Sequence, residues 1–180
     1  MRACAFSGHR PHKLGLKYDE TLPECVALKK KMEEQLDLLI EKHMVSRILV
    51  GLAMGCDLWM GEMVLERMRN NRELVLECAV PFVNQTEKWS AADRKRYLDR
   101  YLAITHSDRV ELLYKPLEAY EKGAYHLRNS YMISKADYLL AVWNGRPSGT
   151  GSTIREARKL GKKCIIINPF EDDVCSDLEK

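Results

Sequence analysis

Residues 138–153 read YLLAVWNGRPSGTGST. The unbroken apolar run Tyr138–Trp143 fits a strand buried on both faces, as in a parallel sheet. Glycines at 145, 149 and 151 then alternate with Ser148, Thr150, Ser152 and Thr153. From Ser152 to Leu160 the pattern turns helical and stops at Gly161, suitably placed at C′. A strand, a glycine-rich loop and a helix in that order form the repeating unit of an α/β sheet.

The same unit recurs outward in both directions. Strands are expected at Ala3–Ser7, Arg47–Gly51, Leu74–Val80, Arg109–Leu113 and Lys163–Asn168. Between them lie amphipathic stretches. Cys25, Leu28, Met32, Leu36 and Leu39 are spaced by 3, 4, 4 and 3, with Pro23 at the helix start. A second helix is expected from Asp57 to Arg69, striped by Met60, Val64 and Met68. Tyr97, Tyr101 and Ile104 mark a third, and Leu127, Tyr131 and Ser134 a fourth. The acidic tail 171–180 reads as frayed or as a short helix. Six alternations predict a doubly wound, mostly parallel α/β sheet in a single domain over residues 1–170. Ligands in such sheets bind beyond the carboxyl ends of the strands, where strand order reverses.

Composition narrows the function. Hydrophobic residues make up 46% and charged residues 31%, which excludes a disordered chain. The 29 Lys and Arg against 26 Asp and Glu give +3, too slight a charge to argue for nucleic acid or a membrane surface. No apolar run is long enough to span a bilayer, and no export signal opens the chain, so a cytoplasmic protein with reduced thiols is expected. The six cysteines are spaced by 21, 31, 22, 86 and 11, matching no zinc pattern, so no metal is expected; no cofactor is expected either. Of these thiols only Cys56, in a glycine-containing loop, invites attention.

Three strand-to-helix loops carry the chemistry. The first, Ser7-Gly8-His9-Arg10-Pro11-His12, offers a glycine for close backbone approach and donors suited to phosphate. The second, residues 51–57, sets Gly51 and Gly55 to leave N–H groups facing an anion. Asp57 there is either a helix N-cap or a partner for a ribose hydroxyl. The third contains Gly149, Thr150, Gly151, Ser152 and Thr153, a phosphate cradle in which Ser152 or Thr153 could also serve as a cap.

The order SGHRP, GLAMGCD, AVPF, then HLRNSYMISKADYLLAVWNG and SGTGSTIREARKLGKKCIIINP resembles the SLOG superfamily over residues 1–169. That group joins the Smf/DprA proteins with the Lonely Guy hydrolases; Trp59 and Trp89 add a likeness to its YpsA-like branch. The resemblance implies a Rossmann-like sheet of order 4-3-2-1-5-6, with SGHRP brought against GRPSGTGST. It also implies a nucleotide-type ligand. The hydrolases' M-H-x-R-K-x-x-M is matched by His126, Arg128 and Met132, with Asp137 following. Their catalytic Glu falls on Arg155, and Glu156 is one residue further, a turn of about 100° on a helix. Arg128 and Glu156 are therefore the catalytic candidates. Arg128 and Asn129 read either as helix-surface groups or as ligand-facing ones.

Other prominent residues read as scaffolding. Arg94, Lys95, Arg96 and Arg100 alternate with Asp93 and Asp99, a salt-bridged solvated face that disfavours a nucleic-acid partner. Trp89 and Tyr97 could line a base pocket or pack the core. Tyr97, Tyr101, Tyr120, Tyr125 and Tyr131 offer surface for a homodimer. The reading that results is a binder of a nucleotide or ADP-ribose-like ligand, acting as sensor or sequestering protein. A nucleoside 5′-monophosphate phosphoribohydrolase is the alternative, and a DNA-binding or scaffold role the third.

Overall fold

In the computed structural model, which describes all residues except 16–18, 84, 88, 113–115 and 179–180, the 138–142 run lies beside the central strand of a seven-stranded sheet. The strands are β1 (Arg2–Gly8), β2 (Val45–Val50), β3 (Val75–Cys78), β4 (Val110–Glu111), β5 (Tyr138–Val142), β6 (Lys163–Ile167) and β7 (Val174–Ser176). Their order is β4-β3-β2-β1-β5-β6-β7, parallel throughout except for β7. The helices are α1 (Pro23–Glu41), α2 (Cys56–Asn70), α3 (Ala91–Thr105), α4 (Ala124–Lys135) and α5 (Gly149–Lys159). The architecture is the expected doubly wound Rossmann-like one.

Strand alternation divides the core in two. Cys4 and Phe6, Ile48 and Val50, Leu140 and Val142 face one side, with α1, α2 and α3. Ala3, Ala5, Leu49, Leu139 and Ala141 face the other, with α4 and α5. Right-handed crossovers explain the split: β1 to β4 step one way across the sheet, and the chain then returns to β5 and β6 along the opposite face. The reversal falls between β1 and β5, which pair from Cys4↔Tyr138 to Gly8↔Val142. A cleft must open just beyond Gly8 and Val142.

Several local expectations are corrected. The tail adds β7, antiparallel to β6 with Ile167 opposite Val174, and Asp177 pairs with Arg158 at 3.3 Å. The fourth strand is only two residues long; Arg109 lies outside it at φ 65°, and the expected end at Leu113 lies outside the described residues. Helix α4 is rotated from its expected stripe. Its buried face is Ala124, Arg128, Met132 and Ile133, while Leu127 is 58% exposed. A stripe counted on apolar residues misplaces this helix because its central buried side chain is an arginine.

All five tyrosines offered for an interface make contacts within the chain. Tyr97 is buried, Tyr101 stacks on it, Tyr125 bonds Arg10, and Tyr131 donates to Glu77; Tyr120 is exposed but packs edge to face on Phe82. On the charged face of α3, Lys95 pairs with Asp99 at 2.6 Å as expected. Arg100 instead is partly buried and pairs with Glu62 of α2 at 2.5 Å and with Glu20, and Arg94 bonds the carbonyls of Thr86 and Glu87. Among the described residues no helix is long and apolar enough to cross a membrane, and no group of three His, Cys, Asp or Glu could hold a metal.

Candidate functional site

The cleft beyond β1 and β5 has a volume of ≈ 390 Å³. Its floor begins where β1 ends. His9 N still donates to Val142 O at 3.2 Å, and the chain then enters a 3-10 turn, Pro11–Leu14. Gly8 is dictated by packing: a β-carbon there would sit 2.4 Å from Cys56 Cβ at the start of α2. Cys56 itself is buried, and burial pushes its thiol well above the ordinary range, so it is no nucleophile.

His9 is fixed by Asn144. The Asn144 amide donates to Lys13 O at 3.3 Å, and its Oδ1 accepts from Arg146 N at 3.1 Å. The same Oδ1 lies 2.9 Å from His9 Nε2, so His9 carries its proton on Nε2. Burial holds the His9 pKa below its usual value, against the pull of the Asn144 bond, and the ring is neutral near pH 7. Among the described residues, the positive charge of the cleft comes from Arg10, Lys13 and Arg128, set against one carboxylate, Asp57.

Arg128 and Asp57 form the back wall, both only 4% exposed. Arg128 Nη1 donates to Ala79 O at 3.3 Å and lies 3.8 Å from Asp57 Oδ2. Asp57 Oδ1 accepts from Gly8 N at 3.2 Å, and Oδ2 from Ala53 N at 3.4 Å. Burial pushes the Asp57 pKa up; Arg128 and the two N–H donors oppose that rise. Asp57 is not the cap of α2, whose N-cap is Gly55 at φ 97°. It ties the loops after β1 and β2 to α4.

The right wall is the start of α5. This helix begins three residues earlier than its sequence pattern indicates, and its N-cap is Ser148, whose Oγ accepts from Gly151 N at 3.1 Å. Ser152 and Thr153 therefore do not cap it. The N–H groups of Gly149 and Thr150 are first-turn donors with no protein partner among the described residues, and they carry the positive end of the helix dipole. Asn129 Nδ2 donates to Thr153 Oγ1 at 2.8 Å, which in turn donates to Gly149 O at 3.0 Å, bracing this turn against α4.

Residues 4–164 match YpsA, the YspA SLOG family. The chain belongs to that family. A UPF0398 protein of Halalkalibacterium halodurans is 29% identical over 159 residues, covering 88% of this chain and 81% of its own. A UPF0398 protein of Bacillus thuringiensis strain Al Hakam is 31% identical over 161 residues, covering 88% and 83%. Among solved structures, DNA processing protein A from Helicobacter pylori, described for its single-stranded DNA binding mode, superposes with a TM-score of 0.55 at 18% identity. That match covers 93% of this chain but only 65% of the other, and it shows a shared fold.

In this YpsA-family chain the cleft gathers Ser7, Gly8, His9, Arg10 and Asp57 on one side with Arg128, Asn129, Gly149 and Thr150 on the other. Five expected ligand residues stand elsewhere. Gly51 makes room for Arg128, since a β-carbon there would fall 1.2 Å from Nη1. Gly55 lines a separate crevice with Trp59 and Arg100. Gly151 packs against the Trp143 indole, Ser152 accepts from Arg155, and Thr153 is buried in the α4–α5 brace. Sequence reading did not single out His12, Lys13, Ala53, Tyr125 and Ser148 as ligand contacts, although all five line the cleft. Lys13 directly follows the quoted first loop, and Tyr125 occupies the first position of the hydrolase-like motif.

Of the residues matched to the hydrolase pattern, Arg128 lines the cleft and Met132 is buried in the core. Glu156 does not line the cleft, and its Oε2 is buried with no hydrogen-bond partner among the described residues. His126 is exposed on α4 outside the cleft. Asp137 accepts from Ala3 N at 2.9 Å, at the opposite end of the sheet. Trp89 and Tyr97 pack edge to face on each other rather than lining this cleft.

Proposed function

We propose that the protein binds a nucleotide or nucleotide-derived, ADP-ribose-like molecule in the β1–β5 cleft, as a sensor or sequestering protein. The supporting observation is the convergence of Arg10, Lys13 and Arg128 with the free N–H groups of Gly149 and Thr150. Arginine forks and helix-terminal donors together suit a phosphate. Binding without turnover is favoured because Asp57, the one carboxylate lining the cleft among the described residues, is already engaged by two N–H groups and Arg128. A carboxylate so held is poorly placed to stabilise positive charge on a sugar or to activate water.

Calorimetry with AMP, ADP-ribose and ribose 5-phosphate tests the reading. Micromolar binding that disappears in Arg10→Ala/Lys13→Ala is expected. Failure of every phosphate-bearing compound to bind would refute it. The Helicobacter pylori protein binds single-stranded DNA, so its likeness lends no support to discounting nucleic acid. A short oligonucleotide belongs in the same titration: binding that weakens steeply with salt, and exceeds that of AMP, would make the cleft a strand-binding surface.

A further inference from the structure

A second cavity, ≈ 280 Å³, opens between α3 and the segments following β3 and β4. The stacked rings of Tyr97 and Tyr101, 5.7 Å apart and inclined by 26°, form one side. Val80, Val83, Leu98 and Leu112 supply the aliphatic surface, and no described lining residue is charged. The contrast with the cationic cleft is complete. A slot walled by aromatic and aliphatic groups suits a flat, uncharged ring.

The cavity and the cleft draw on adjacent residues of the same two loops. Ala53 lines the cleft, while the carbonyl of the preceding Leu52 accepts from Tyr97 Oη at 2.8 Å. Val80 lines the cavity, while the carbonyl of the preceding Ala79 accepts from Arg128 Nη1. Each site is thus one residue from the other along both loops. Leu52 holds φ 48°, a left-handed conformation costly for leucine, and the Tyr97 bond fixes its carbonyl.

One polar group gives the cavity a preference. The Tyr97 hydroxyl proton goes to Leu52 O, so Tyr97 Oη accepts from Gln85, which must present its Nε2 there. Gln85 Oε1 remains, an acceptor with no partner among the described residues, on a side chain that lines the cavity. Cys78 adds no competing chemistry, because burial pushes its thiol up to about 12.

We propose that this cavity is the ring-binding half of the nucleotide site, and that it takes a base bearing an exocyclic amino group in preference to its oxo counterpart. The amino N–H would pair with Gln85 Oε1, whereas a ring carbonyl would face it lone pair to lone pair. The phosphate end of the ligand rests on the reading of the cleft given above; the ring end rests on this cavity alone.

Titration with adenosine, inosine and ribose 5-phosphate separates the two. Adenosine should bind about tenfold or more tightly than inosine, a difference of about 1.4 kcal/mol. Gln85→Leu should bring that ratio close to one. Leu98→Glu, which places a charge in the slot, should abolish adenosine binding and spare ribose 5-phosphate. Val83→Trp, at a rim position 66% exposed, should do the same without touching the core. Equal binding of the two nucleosides in the unaltered chain, or adenosine affinity unchanged in both Leu98→Glu and Val83→Trp, would overturn the proposal. So would a dimer dissociated by Leu98→Glu with adenosine binding intact, since the cavity would then belong to a second copy. Loss of ribose 5-phosphate binding with adenosine following these variants would instead refute the phosphate reading and keep the ring site.

Discussion

Arg128 lies directly across Gly51, so that a β-carbon at residue 51 would stand 1.2 Å from Nη1. The glycine after β2 thus serves a neighbouring guanidinium. Gly51→Ala should push Arg128 off Ala79 O and Asp57, costing about 1–3 kcal/mol, the range for overpacking a well-filled site. Denaturant unfolding measures that cost. Titration with ribose 5-phosphate should show a parallel loss of affinity, because the displaced side chain lines the cleft.

The Arg128–Asp57 pair makes a pH-dependent prediction. Removing one partner of a buried pair costs about 3–5 kcal/mol, so Arg128→Leu should be strongly destabilising at neutral pH. Burial already pushes Asp57 up, and loss of Arg128 removes the main opposing charge. A carboxyl whose folded pKa exceeds its unfolded value favours the folded state once protonated. The variant should therefore regain stability as pH falls through the folded pKa toward the ordinary carboxylate value. Arg128→Leu/Asp57→Asn should recover much of the loss at pH 7; unfolding curves at several pH values supply the check.

Glu20 behaves in the opposite sense. Burial raises its pKa, but hydrogen bonds from Lys29 and Arg100 outweigh burial and bring it down to about 2. Its contribution is present above the unfolded value near 4.5 and is lost as pH falls toward about 2. With the carboxylate 32% exposed, screening leaves about 1–2 kcal/mol. Glu20→Gln should remove that increment at pH 7 and flatten the acid limb between pH 4.5 and 2. Chemical unfolding at pH 3 and pH 7 compares the two.

Much of this architecture is legible in the chain, for reasons that differ by element. Helix α1 follows from Cys25, Leu28, Met32, Leu36 and Leu39 because each of them is buried. Strand β5 follows because all five of its residues are. Helix α4 misleads because Arg128 occupies its core-facing stripe, and no count of apolar residues finds a buried guanidinium. The tail misleads because β7 depends on β6 for its hydrogen bonds and has only three residues. At the cleft, all three loops follow from their address after a strand and contribute lining residues. Which glycine of the second or third loop is open to the cleft depends on what stands opposite: Arg128 lies over Gly51 and Trp143 against Gly151. Those are tertiary contacts, invisible in spacing.

Ser148 links α5 to the cleft. Its Oγ caps the helix through Gly151 N, and a cap of this kind contributes about 1 kcal/mol. Ser148→Ala should lose about that much stability, and ribose 5-phosphate should bind more weakly as the turn carrying Gly149 and Thr150 loosens. Ser148→Asp should retain the cap while placing a carboxylate beside the phosphate position. Its stability should stay near that of the unaltered chain, yet affinity should fall by more than in Ser148→Ala. Thermal unfolding with parallel calorimetry separates the two effects.

The last prediction concerns turnover. Glu156, the candidate carboxylate, lies off the cleft, and Asp57 is held by Gly8 N, Ala53 N and Arg128. Departure of a base from a sugar needs a carboxylate free to follow the developing charge, and losing such a group lowers the rate by orders of magnitude. Incubation with AMP, followed by chromatography for free adenine, should therefore return the nucleotide intact at protein concentrations that saturate binding. Glu156→Ala should leave affinity unchanged, since its side chain does not line the cleft. Asp57→Asn should alter affinity by freeing Arg128 to pair with the phosphate instead. Adenine release that vanishes in Asp57→Asn and persists in Glu156→Ala would place a hydrolase in this cleft with Asp57 as its carboxylate. Release that vanishes in Glu156→Ala would require α5 to turn on ligand binding, bringing its buried Oε2 to the sugar.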